Sequence, residues 1–234
     1  MYESVVVYPR GDSTLARFAK TANVYGYSGL IIRADRDQIP LESVPTIQER
    51  YDIDIATAVE IDADSKGEVS GHLGAVRNEY PLIMCRGGSP SLNRFAVESP
   101  RIDILSAPME DEGDFNHVLA RKATENNVAI ELSFANVLRD AGGRRVQSIQ
   151  QLRKLEEIIT HYDTPYVCTG SPHSHLELRA PREMKAVGNQ IGFSPEFVEK
   201  GLQHWQEILE TNRKRMSEQY ISDRVRWTEN TQEE

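Results

Sequence analysis

Val128-Ala129-Ile130-Glu131-Leu132 is the stretch that decides the architecture. It is five residues long and mostly apolar, which suits a strand buried on both faces of a parallel sheet. Helical patterns flank it. Upstream, Asp114 stands as a cap before Phe115, Val118, Leu119 and Ala123, which share one helix face. Downstream, Ser148 precedes Ile149, Leu152, Leu155, Ile159 and Tyr162, again on one face. Tyr166-Val167-Cys168-Thr169 then reads as the next strand. Strand, helix, strand is the unit from which parallel sheets are built.

The same alternation extends towards the N-terminus. Val5-Val6-Val7-Tyr8 reads as a strand, followed by a Ser13 cap and a helix carrying Leu15, Phe18, Ala19 and Ala22. Further strands fall at Gly29–Arg33, Ile53–Val59, Leu82–Cys85 and Ile102–Leu105. At the other end, Ser194-Pro195 opens a last helix that buries Val198, Leu202, Trp205 and Leu209. Seven such strands close into a barrel or lie open as a doubly wound sheet. No strand is followed by GxGxxG or GxxxxGK[ST], the loops of an open nucleotide-binding sheet. The predicted fold is therefore α/β, a TIM-barrel-like (β/α) barrel of about seven parallel strands. The apolar period stops after Leu209, which sets a barrel domain over residues 1–210 and a charged C-terminal helix or tail over 211–234.

The 234 residues include 36 Asp+Glu against 27 Lys+Arg, a net charge of −9. That balance argues against a nucleic-acid ligand, since phosphates repel an acidic surface. The bases are unevenly chosen, however: 20 are Arg and 7 are Lys. Arginine is the better fork for phosphate, and an acidic, Lys-poor surface is also what proteins of salt-loving cells carry. Cys85 and Cys168 sit far apart in apolar runs, which predicts buried thiols rather than a zinc site or a disulfide. No run approaches the roughly 20 apolar residues of a membrane span, and no signal pattern opens the chain, so it reads as cytoplasmic.

In a parallel barrel, function sits at the C-terminal strand ends. Those ends deliver Arg10, Arg33, Arg86, Arg139, Arg144, Arg145, Arg179 and Arg182, interspersed with Gly and Ser. Guanidinium forks and backbone N–H groups both donate to phosphate oxygens, so these eight are the candidate phosphate-binding residues. No catalytic residue and no metal ligand is assigned. The one metal-like signal is His173-Ser174-His175, which would need Glu60 and Asp62 to complete a ligand set; a solvated polar loop is the preferred reading. Phe134 is a stacking candidate near several arginines, with core packing as its alternative, and Trp205 reads as a core anchor.

Several ordered segments resemble a known family. They are Gly26-Tyr27-Ser28-Gly29-Leu30-Ile31-Ile32-Arg33, Arg101–Ser106, Asn116–Ala123, Val128–Phe134 and the stretch closing in Arg179-Ala180-Pro181. Together they resemble the archaeal ribonuclease P protein component 3 family, over nearly the whole chain up to about Leu209. The resemblance implies a barrel related to the metal-dependent PHP phosphoesterases, in which Tyr8-Pro9-Arg10 stands where those enzymes carry His-x-His. It implies a subunit of an RNA–protein endonuclease that removes the 5′ leader from precursor tRNA, with the RNA performing cleavage. Its partners would be the ribonuclease P RNA, precursor tRNA and a second small protein subunit in a heterotetramer. Magnesium would serve the holoenzyme, with no cofactor bound by this chain. Two departures from the family pattern are the acidity and the turn Gly170-Ser171-Pro172-His173. The rival readings are a metallophosphoesterase using His173, His175, Glu60 and Asp62, and a scaffold that binds only proteins.

Overall fold

Side chains alternate along a strand, so each strand sends every second residue to the same side. Seven strands, β1 (Tyr2–Val5), β2 (Gly29–Ala34), β3 (Asp54–Ile61), β4 (Leu82–Arg86), β5 (Ile104–Ser106), β6 (Ala129–Ser133) and β7 (Tyr166–Thr169), pair in parallel and in sequence order. The structure is a computed structural model that describes residues 1–35 and 43–217, with the backbone of two short strands at Tyr220–Ser222 and Val225–Arg226. Helices α1 (Leu15–Tyr25), α2 (Val44–Tyr51), α3 (Lys66–Val76), α4 (Pro90–Glu98) and α5 (His117–Asn126) each follow the strand of the same number, and sequential parallel order with such intervening helices is the topology of a (β/α) barrel.

The inward side chains form two layers. The lower layer is apolar: Ile31, Ala58, Met84, Ile104, Ala129 and Val167 cluster together. Two residues further along, the same strands present Arg33, Glu60, Arg86, Ser106, Glu131 and Thr169. An apolar floor beneath a polar ring thus follows from the period of two. Outward side chains pack against the surrounding helices, as Val5, Leu30 and Ile32 do against Leu15 and Phe18.

No β7–β1 strand ladder forms among the described residues. The seam is closed by other means. Val6 N–H donates to Pro172 O at 3.0 Å, and Gly170 N–H donates to the Glu3 carboxylate at 3.0 Å. Helix α9 (Pro195–Met216) lies against both β7 and β1. Gly201 permits the close approach, because a Cβ there would fall 2.4 Å from Cys168 Sγ. His204 Nδ1 meets Tyr166 O at 2.8 Å, and Trp205 Nε1–H donates to Cys168 O at 2.9 Å. The helix therefore takes up carbonyls that an eighth strand would bond. Trp205 and Leu209 complete the apolar floor of the barrel.

Several boundaries differ from the sequence reading. β1 starts at Tyr2, and Tyr8 has already turned back to bond Ser13 O. Helix α1 (Leu15–Tyr25) follows Thr14, which leaves the Ser13 hydroxyl free to reach His175 Nδ1 at 2.8 Å. Helix α5 (His117–Asn126) is capped by Asn116, whose side chain accepts from the N–H groups of Val118 and Leu119; Asp114 instead pairs with Lys154 at 2.5 Å. Helix α7 (Gly142–Tyr162) begins six residues before Ser148, whose hydroxyl bonds back to Arg144 O within the helix. The boundary drawn at 210 falls inside α9: Asn212 Nδ2 donates to Pro81 O at 2.8 Å, and Arg213 pairs with Asp54 at 2.6 Å. Of the segment 211–234, positions 218–219, 223–224 and 227–234 lie outside the described residues.

Candidate functional site

The polar ring surrounds a cleft of about 240 Å³ at the C-terminal mouth of the barrel. Arg33 lies at its floor. The Arg33 guanidinium donates to Glu60 at 2.9 and 2.6 Å and to Glu131 at 2.8 and 3.2 Å. All three residues are buried. Ser106 Oγ adds a 2.9 Å bond to Glu60. One cation thus serves two carboxylates. Burial opposes ionisation of Glu60, but the Arg33 charge overrides it and holds the carboxyl at about 2. Burial raises the pKa of Glu131, with the neighbouring Glu60 charge adding to it against the pull of Arg33.

Above this triad stand Arg10, Arg86 and Arg139. Arg10 pairs with Asp35 at 3.2 Å and approaches Glu60 at 3.8 Å. Arg86 forms a close ion pair with Glu110. Arg139, in the short helix α6 (Ala135–Arg139), donates to the backbone oxygens of Gly170 and Ser171 and lies 3.5 Å from Glu177. The mouth arginines are therefore matched to acids, and the four in the cleft wall face Glu60, Glu110 and Glu131.

The other four candidate arginines lie outside that cleft. Arg144 and Arg145 are exposed in the first turn of α7, with no side-chain partner among the described residues. The helix start carries no acid and no side-chain cap. Arg182 is likewise exposed and unpartnered among the described residues, in the first turn of α8 (Pro181–Ile191). Arg179 donates to Leu176 O and Leu178 O, bracing its own loop. Of the eight candidate arginines, the structure brings Arg10, Arg86 and Arg139 together at the mouth of the cleft. Arg33 sits beneath them with its donors consumed, because its inward position in β2 points it into the barrel. Arg144 and Arg145 are displaced because Gly142-Gly143 opens a helix rather than continuing a strand-end loop.

A metal held at this mouth is not supported by the residues present. Glu60 is bonded to Arg33, His175 to Ser13, and the Asp62 side chain lies 3.9 Å from Arg86. His173 lines the cleft beside the Arg139 charge, which opposes a second cation there. No group of three or more His, Cys, Asp or Glu side chains among the described residues is arranged to hold an ion. The ligand set of the metallophosphoesterase reading is not assembled. Phe134 is fully buried and packs edge-on against Phe193 at 6.0 Å, so its role is core packing. Both cysteines are buried and free, and burial pushes the Cys85 thiol up to about 12. No helix among the described residues is long and apolar enough to cross a membrane.

Similarity to known proteins agrees with the barrel. Ribonuclease P protein component 3 of Halorubrum lacusprofundi is 45% identical over 233 residues, covering 97% of each chain. A chain in the cryo-EM structure of archaeal ribonuclease P with mature tRNA superposes with a TM-score of 0.86 at 23% identity, covering all of both chains. A histidinol phosphate phosphatase of Lactococcus lactis, solved with zinc, shares the fold at a TM-score of 0.51 and 10% identity, over 82% of this chain and 94% of that one. Residues 1–217 match the family model described as RNase P subunit p30, and the chain belongs to that family.

Proposed function

We propose that this chain is a protein subunit of ribonuclease P, supporting an RNA that removes the 5′ leader from precursor tRNA. The observation that carries this reading is the near-full-length identity to a protein component 3. The chemistry of the mouth agrees with it. An Arg–carboxylate triad fills the place where a hydrolytic barrel would present catalytic groups, so the barrel serves binding rather than cleavage.

RNA contact falls to the arginines that are still free to donate. Arg144, Arg145 and Arg182 stand exposed without acid partners among the described residues. Arg10, Arg86, Arg139 and Arg179 can join only by exchanging an existing partner for a phosphate, a smaller net gain. A second small protein subunit completes the assembly as a heterotetramer. Magnesium acts in the holoenzyme and not on this chain, which works in the cytoplasm.

Co-purification with RNA sequencing, followed by reconstitution, tests this. The ribonuclease P RNA should be enriched with the tagged chain. With magnesium, precursor tRNA should be cut accurately only when that RNA is present. Accurate 5′ processing by RNA-free protein would overturn the reading.

A further inference from the structure

Helices α5 and α7 meet at a second cavity, of about 320 Å³, on the outside of the barrel. Its wall joins the first residue of α5, His117, to the last turn of α7, which supplies His161 and Tyr162. The His117 and Tyr162 ring centroids are 6.5 Å apart with their planes inclined by 30°. His161 meets the Tyr162 ring edge-on at 4.6 Å. The Arg121 guanidinium, one turn along α5 from His117, lies 5.3 Å from the Tyr162 centroid. It makes no ion pair with a carboxylate among the described residues.

From this geometry we infer that the α5–α7 cavity is a docking site for one unpaired nucleotide of RNA. The inference rests on the ribonuclease P reading and adds a site distinct from the arginines named there. Each element matches a part of a nucleotide. Flat rings stack on any base, whatever its identity. The imidazole nitrogens and the Asn116 Nδ2–H groups, whose Oδ1 is held by the helix cap, offer base-edge donors and acceptors. Arg121 supplies a cation for the neighbouring phosphate. Glu157, the acid of the lining, can accept from a base amino group. The buried core of a protein interface is more apolar than its rim, and Ile158 is the one aliphatic side chain in this lining. The site also extends the exposed arginines: Tyr162 lies about 27 Å along α7 from Arg144, at ~1.5 Å per residue. One single strand of RNA can follow that helix.

Photo-crosslinking in the assembled holoenzyme tests the site. Cys85 and Cys168 are buried, so a cysteine introduced by Val118→Cys, at a position 52% exposed beside His117, takes an azidophenacyl probe selectively. Val146→Cys, 54% exposed beside Arg144 and Arg145, serves as the comparison. The Val118 probe should crosslink to unpaired nucleotides. Yield, and RNA affinity, should fall by roughly tenfold in a His117→Ala/His161→Ala background, with the thermal melt unchanged. Crosslinking of the Val118 probe to a protein subunit, or an RNA yield unaffected by the double substitution, would overturn the nucleotide site. If the Val146 probe alone reaches RNA, the cavity is refuted and the subunit reading stands. If the chain does not assemble with the RNA at all, both fall.

Discussion

Trp205 Nε1–H donates to the backbone oxygen of Cys168 at 2.9 Å, so a helix completes the bonding of the last strand. The indole is also fully buried in the barrel floor. Trp205→Ala should therefore destabilise by about 3–5 kcal/mol. Trp205→Phe keeps most of the burial but orphans a buried carbonyl, at a cost of about 1–3 kcal/mol. Chemical denaturation separates the two. Equal losses would show that the hydrogen bond contributes nothing beyond packing.

Truncation after Glu210 removes the Asn212 bond to Pro81 O and the Arg213 pair with Asp54. The pair is partly exposed, so its share is modest, and the buried bond dominates. A destabilisation of about 1–3 kcal/mol is expected, smaller than for Trp205→Ala. Thermal melts of both variants check the order, and a reversal would mean that α9 holds the barrel mainly through its last turn.

Arg33→Met should be more damaging than its size suggests. It leaves Glu60 and Glu131 buried around one missing cation. Breaking a buried ion pair from one side costs about 3–5 kcal/mol. Neutralising the acids as well, in Arg33→Met/Glu60→Gln/Glu131→Gln, should recover much of that stability. A triple variant as unstable as the single one would locate the cost in packing rather than charge.

Glu3 closes the seam between β1 and β7. It is buried, and it accepts from the Gly170 and Ser4 N–H groups and from the Thr169 and Tyr27 hydroxyls. Burial pushes its pKa up to about 7, against the pull of those donors. In the unfolded chain the carboxyl ionises near its ordinary value of 4.5. Between those values the folded state holds more protons, so stability falls as pH rises from 4.5 to 7. The accumulated decrease is about 3 kcal/mol. Glu3→Gln should remove that slope and be relatively more stable than the parent at about pH 8. Parallel pH profiles for the two proteins would assign the slope elsewhere.

Strand and helix order are legible in the sequence because the apolar periods of two and 3.6 are local signals. The polar ring is legible in principle as well: Ile31-x-Arg33, Ala58-x-Glu60 and Ala129-x-Glu131 each place a charge two residues after an inward apolar side chain. What the sequence does not show is which charges meet. Arg33 and Glu131 are 98 residues apart and touch only because the barrel closes. The start of α7 escapes a sequence reading because Ala141-Gly142-Gly143 offers no capping side chain. The α5–α7 cavity escapes it because His117 and His161 acquire meaning only when two helix ends come together.

The exposed arginines make the last prediction. Arg144 and Arg145 sit at the positive end of the α7 dipole with no acid in the first turn. Changing both to Gln should leave stability unchanged or slightly higher, because cations at a helix N-terminus are unfavourable by about 0.3–1 kcal/mol each. If they bind RNA phosphates, the same change weakens binding of many RNA sequences alike. The slope of log affinity against log salt should flatten by about 0.7–0.9 for each phosphate that is no longer neutralised. Arg10→Gln and Arg86→Gln should change that slope less, since each arginine is already committed to Asp35 or Glu110. Affinities of the reconstituted complex at several salt concentrations measure this. A slope that responds to Arg10 and Arg86 but not to Arg144 and Arg145 would move the RNA from the α7 face to the barrel mouth.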